Sequence, residues 1–306
     1  MKPIGWGVAL ALFAAVLAPV AVICAPKGGD VSEAQRKQGM SEAPAVVQAA
    51  GLPCQVSDAR FIGKGADPKT HVANSYYEVA CGQNMGYVLQ SPAGGTPTAF
   101  SCIEVQPPAG QAPKQGALSC VLPGNSDPKA QLAPAIAKSG VQCTPTAARS
   151  LGASKTNTYI EVACQGGAGY IMIASAPFDA SKPIEAQNCL NFDETQGNVK
   201  CTLTDRATRL AAVDRYVQSA NNGCVVKDRR FVGSATDGSD FFEASCQDGK
   251  GYMFKISHGA LAQTIGCAEA QGIMGGCTLT DARQAASDQA ALYTKLAKSS
   301  GSDIHR

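Results

Sequence analysis

An α+β fold of three tandem disulfide-stapled modules, each a small antiparallel β-meander with a helix linking to the next module, is predicted by three observations. Twelve of the thirteen cysteines fall into three groups of four with one rhythm: Cys54, Cys81, Cys102, Cys120; Cys143, Cys164, Cys189, Cys201; and Cys224, Cys246, Cys267, Cys277. The residues around them recur in register, which identifies an internal repeat of roughly 80 residues. A helix-start signal follows the fourth cysteine of every group.

The N-terminal segment reads as an export signal. Lys2 precedes an apolar run over residues 4–25, and Lys27 follows it. The run is close to the ~20 residues that cross a bilayer, so cleavage competes with retention as an inner-membrane anchor through residues 4–25. Lipidation at Cys24 is a third fate, disfavoured by the bulky Ile23 before it. The Ala-rich signal and the lack of any N-x-S/T sequon point to a bacterial envelope protein. Residues 26–40 read as a flexible linker, and the modules cover 41–140, 141–222 and 223–306, the last with a C-terminal helix.

Within a module the first cysteine is followed by an arginine (Arg60, Arg149, Arg230) and then a glycine (Gly63, Gly152, Gly233), with an apolar strand end between them. The second cysteine closes a strand: Tyr76-Tyr77-Glu78-Val79-Ala80-Cys81, Tyr159-Ile160-Glu161-Val162-Ala163-Cys164 and Phe241-Phe242-Glu243-Ala244-Ser245-Cys246. Gly86-Tyr87, Gly169-Tyr170 and Gly251-Tyr252 then mark a tight turn into a third strand. The Pro- and Gly-bearing stretches from the second to the fourth cysteine read as loops. Asp237-Gly238-Ser239-Asp240 reads as a hairpin turn rather than a cation loop.

Ser126-Asp127, Thr204-Asp205 and Thr280-Asp281 supply cap oxygens for the helices. Over residues 206–221 Leu210, Val213 and Val217 share one face, as do Leu292 and Leu296 in the last helix; Pro134 shortens or kinks the first. Residues 41–51 look like the same helix end ahead of Cys54. Gly140 and Gly223 lie within three residues of the next first cysteine, too little slack for a swivel, so a stiff three-module rod is expected.

Thirteen cysteines fit a compartment where thiols oxidise. Four cysteines permit three pairings, and hairpin geometry favours first to second and third to fourth. Each bridge across a loop of ~20 residues is worth roughly 3 kcal/mol, which matters for so small a module. Zinc would want C-x₂₋₄-C pairs, which the spacing lacks.

The pairs Arg60 and Glu78, Arg149 and Glu161, Arg230 and Glu243 read as cross-strand pairs that fix register; the functional alternative is a charged binding spot repeated along the array. Tyr76, Tyr159 and Phe241, and likewise Tyr87, Tyr170 and Tyr252, read as core aromatics or as stacking surfaces for sugars or peptides. The arginines, the glutamates and the tyrosines of the turns are the candidate recurrent surface contacts.

A net charge of +2 without a basic stripe argues against nucleic acid. His71, His258 and His305 occupy no equivalent positions, and no hydrolase, phosphate-loop, dinucleotide or haem motif occurs, so neither catalysis nor a cofactor or metal is indicated. The expected function is a non-catalytic cell-envelope array that binds or scaffolds another envelope protein or a wall polymer. Two alternatives stand beside it: a secreted enzyme inhibitor acting through a variable loop such as 105–116, and an enzyme with an unfamiliar site at a module junction.

Overall fold

The computed structural model describes residues 31–82, 84–107, 117–192 and 199–300. The export segment with Cys24, most of the loop 105–116 and His305 lie outside the described residues. In chain order the elements are α1 (Glu33–Ala49), β1 (Val56–Ala66), β2 (Ala73–Cys81), β3 (Tyr87–Pro92), β4 (Thr98–Ser101), α2 (Pro128–Gln131), α3 (Ala133–Lys138), β5 (Pro145–Ala153), β6 (Asn157–Cys164), β7 (Gly169–Ser175), β8 (Glu185–Asn188), α4 (Arg206–Ala211), α5 (Asp214–Ala220), β9 (Val226–Ser234), β10 (Asp240–Cys246), β11 (Gly251–Ser257), β12 (Ala260–Gly266) and α6 (Ala282–Ser300). They form three separate four-stranded sheets, ordered β1-β2-β3-β4, β5-β6-β7-β8 and β12-β11-β10-β9. The fold is thus α+β with three tandem disulfide-rich modules.

The described residues divide into two compact units, one of those up to 135 with 148–161 and 172–185, the other of 136–147, 162–171 and those from 186 onward. No described helix is long and apolar enough to cross a membrane.

Each sheet carries a fourth strand where the sequence reads as loop. Thr98-Ala99-Phe100-Ser101 pairs antiparallel with β3, and Ala260–Gly266 pairs with β11. These strands are short or polar and lie at the sheet edge with one partner, so they need neither the β-branched content nor the alternation that marks an inner strand. The recurring glycine after the arginine sits at a β-bulge: the register shifts between Phe61 and Gly63, and φ is 157° at Gly63 and 154° at Gly233. The extra residue turns the strand there, and that φ is strained for any side chain.

The helices depart from expectation at their ends. Ser32 caps α1 through a capping box with Gln35, so Glu33 to Met40, read as linker, are helical. Residues 206–221 form two helices instead of one, because at Val213 the amide bonds back three residues to Leu210 and the chain tightens for a turn. Asp127 and Asp205 cap their helices as expected, each accepting from a backbone amide three residues on. Leu132 and Pro134 mark the break between α2 and α3, the proline falling in a first turn where no donor is needed.

Modules 1 and 3 show how a sheet is covered. In module 1, Ala43 and Val47 of α1 lie on Tyr77, Val79, Tyr87 and Leu89, and Val47 is 4% exposed. In module 3, Val213, Tyr216 and Val217 lie on Phe242, Phe254 and Ile256. Burying one such side chain stabilises by about 1.5–3 kcal/mol. The opposite face of the module 3 sheet buries Phe241, Met253 and Ile265 under Ala270 and the chain leading to Cys277. Each of these sheets is therefore covered by a helix that comes before it in the chain, and the module 3 sheet also by a segment that comes after it.

Candidate functional site

Two disulfides close each module, paired in the same way: Cys54–Cys81 and Cys102–Cys120, Cys143–Cys164 and Cys189–Cys201, Cys224–Cys246 and Cys267–Cys277. The first bridge of each set ties the start of the first strand to the end of the second. The other ties the end of the fourth strand to the segment that folds back over the sheet.

Under that segment lies the recurring charged pair. Arg60 is registered opposite Glu78 and Arg230 opposite Glu243 across the first two strands. In module 1, Arg60 Nε donates to Glu78 Oε2 at 2.6 Å, and Arg60 Nη2 donates to the Ser119 carbonyl at 3.1 Å. The other carboxylate oxygen, Oε1, accepts from the amides of Val121 and Leu122, both at 2.8 Å, and from Asn125 Nδ2 at 2.9 Å. In module 3, Arg230 donates to Glu243 Oε2 through Nε at 3.0 Å and Nη2 at 2.8 Å. Glu243 accepts from the Thr278 amide at 2.9 Å and the Leu279 amide at 2.6 Å. Arg149 Nε donates to Glu161 Oε2 at 2.6 Å in module 2.

The glutamate is thus a clasp. One oxygen holds the arginine of the neighbouring strand, and in modules 1 and 3 the carboxylate also holds two consecutive amides just past the fourth cysteine. Glu78 and Glu243 are fully buried and Glu161 is 1% exposed, which fits the cross-strand pairs read from the sequence and not the alternative of a repeated surface contact. A carboxylate offers about four acceptor positions, and Glu78 receives four donors. It is fully buried, and all four donors come from its own module.

The clasp is also not a metal centre. The carboxylates of Glu78 and Glu243 lie within 4.8 Å of the sulfurs of the third and fourth cysteines of their modules, but those sulfurs are bonded to each other and offer no thiolate.

The recurring tyrosines are likewise drawn inward. Tyr87 is fully buried and donates its hydroxyl to the Phe178 carbonyl. Burial, helped by the nearby Asp179, pushes its pKa far above that of a free phenol. Tyr170 is 4% exposed and is shifted the same way by burial, with smaller contributions from Tyr216 and Asp240. Tyr252 is half-buried at the edge of the α5 core, 6.3 Å from the Phe254 ring. Tyr76 and Phe241 are buried in their modules and Tyr159 is half-buried. His71 and His258 sit in turns, each at positive φ.

Two features escaped the sequence reading. In modules 1 and 3 the glycine before the recurring tyrosine is required by close approach: a Cβ on Gly86 would strike the Asn125 side chain, and one on Gly251 would strike Thr280. The residues that cover these glycines sit beside the cap aspartates, where their polar character passes for helix capping alone. The second feature is a buried polar cluster. Asn188 Nδ2 donates to Asp240 Oδ2 at 2.7 Å, the Ser234 hydroxyl donates to Oδ1, and Asn191 Nδ2 donates to Ser234 at 2.8 Å. Desolvation raises the Asp240 pKa despite those donors.

Comparison with protein-family models and with curated proteins finds no match for the chain.

Proposed function

We propose that the chain is a non-catalytic envelope protein, a rigid array of three binding modules for another envelope protein or a wall polymer. One observation carries this reading: the charged residues that recur in every copy are consumed in holding each module together, as in the four donors on Glu78. Binding would then fall to surfaces that differ between copies. Six disulfides fit an oxidising compartment outside the cytoplasm. Export through residues 1–25 to the bacterial periplasm, with or without attachment to the inner membrane, belongs to the same proposal.

In-cell crosslinking followed by affinity purification from the envelope fraction tests it. The reading expects one stoichiometric protein, or retained wall glycan; a chain that turns over a substrate and holds neither would overturn it.

The inhibitor reading has one observation in its favour. The third and fourth cysteines are 18 residues apart in module 1 but 10 apart in module 3, so module 1 presents the longer variable loop. Exchanging that loop for its module 2 counterpart would abolish inhibition of a target enzyme and leave an array binder little changed.

A further inference from the structure

The connection from α5 to module 3 carries a dipeptide that occurs once in the chain, Asn222-Gly223. Asn221 ends α5 in the left-handed region at φ 49°, and Gly223 follows at φ 74°, so the backbone turns sharply before the Cys224–Cys246 bridge. The matching connections ahead of modules 1 and 2, Ala50-Gly51 and Ser139-Gly140, place no asparagine before the glycine.

The Asn222 side chain is folded back over this turn. Its Oδ1 accepts from the Cys224 amide at 3.1 Å, which holds the carboxamide against the Gly223 peptide nitrogen lying between them in the chain. Its Nδ2 is buried without a hydrogen-bond partner, an orphan donor that raises the free energy of the asparagine as it stands. The Gly223 amide makes no hydrogen bond among the described residues. Gly223 is exposed, and apart from its chain neighbours nothing lies within 4 Å of where its Cβ would be. Asn74, Asn125 and Asn188 differ on each count: they are buried, their Nδ2 groups donate hydrogen bonds, and a residue with a side chain follows each.

These are the parts of an intramolecular acyl transfer. Nucleophile and electrophile are neighbours in the chain, so no encounter has to be organised. The Cys224 N–H that holds Oδ1 also faces the negative charge that would develop on that oxygen. The leaving nitrogen is held by nothing. We propose that Asn222 is a self-modification site. The Gly223 nitrogen, its proton lost to solvent base, bonds to Asn222 Cγ; the Cγ–Nδ2 bond breaks and ammonia leaves, giving a succinimide. Water then opens the ring at either carbonyl, giving aspartate or isoaspartate, so that one water is consumed for each ammonia released and nothing is oxidised or reduced. The aspartate form puts a charged oxygen where the buried Nδ2 sat, and the isoaspartate form lengthens a connection that has almost no slack. Tyr216 and Val217 of α5 cover the module 3 sheet, so either product is expected to loosen that cover. The proposal does not depend on what the array binds.

Incubation of the full, disulfide-bonded chain at mildly alkaline pH tests it, with samples digested in acid and read by electron-transfer mass spectrometry. Asn222 is expected to convert ahead of every other asparagine, to both aspartate and isoaspartate, and no more slowly than in the same chain reduced and unfolded in urea. An intact Asn222 beside another converted asparagine, or conversion that is faster in the unfolded chain than in the folded one, would overturn the proposal. The Asn222→Asp variant reproduces one product directly. Its urea midpoint is expected to fall below that of the unmodified chain, and an unchanged midpoint would overturn the loosening of α5.

Discussion

In module 1 the clasp carboxylate holds two amides and the Asn125 side chain, and its arginine is 12% exposed; in module 3 it holds two amides and, at 3.5 Å, the Thr278 hydroxyl, and its arginine is 30% exposed. The cross-strand pairing, the glutamate burial and the disulfide beside it are the same. What differs is how much water reaches the cation. An ion pair in a sheltered site is screened less, and removing its anion leaves a cation that water reaches less easily. The two modules therefore share a design and differ in how much of their stability rests on it.

The largest effect that separates them is loss of the anion. Glu78→Ala is expected to destabilise by about 3–5 kcal/mol, because it leaves a sheltered guanidinium and three further donors without an acceptor. Glu243→Ala is expected to cost about 1 kcal/mol less, since Arg230 can turn toward water. Urea midpoints of the two variants check this, and equal losses would break the comparison.

Next comes the helix seat. Val47→Asp places a charge under α1 and should cost about 3 kcal/mol. Leu296→Asp on the exposed face of α6 should change the stability of the free chain by less than about 0.5 kcal/mol. Thermal unfolding of both variants checks the contrast. Asn125→Ala comes after these, at about 1–2 kcal/mol, because it removes a buried donor to Glu78 and to the Val79 carbonyl. In module 3 the side-chain donor to the glutamate is the Thr278 hydroxyl, and Thr280 covers the turn glycine.

The smallest effect is one of pH and falls on module 3 alone. The position of Asp240 is Ser75 in module 1 and Thr158 in module 2. The folded-state pKa of Asp240 is raised by burial, so the folded state keeps a proton that the unfolded chain releases. This contribution is fully present below the ordinary value of 3.8 and is lost as pH rises through the folded pKa. Asp237 works in the opposite sense at lower pH, its pKa held to about 2 by the Ser239 amide and then by Lys255. Asp240→Asn should remove the loss of stability above pH 3.8 and leave the acid limb unchanged, as read by thermal midpoints across pH.

The parts of this fold legible in the sequence are those fixed by local pattern or by repetition. The cysteine rhythm marks the modules, the aromatic run before the second cysteine marks the inner strand, and the arginine and glutamate recur because the clasp is needed in each copy. Their burial was not legible, since a charged residue in a strand looks the same whether it faces water or a pair of amides from beyond the fourth cysteine. Glu78 meets Val121 and Leu122 across more than forty residues, a contact that no periodicity reports. The edge strands were missed because a single neighbour asks little of their composition. The extension of α1 was missed although Ser32 and Gln35 spell a capping box, because the polar residues from Glu33 to Met40 carry too few apolar positions to mark a buried face.

Amide hydrogen exchange on the full chain tests the central claim that the recurring glutamates bind the module together. The Val121, Leu122, Thr278 and Leu279 amides lie outside any strand, and their protection depends on the carboxylates of Glu78 and Glu243. They are predicted to exchange as slowly as the inner-strand amides of their own modules. Exchange at the rate of open loop amides would contradict the clasp and return the glutamates to the surface as candidate binding residues.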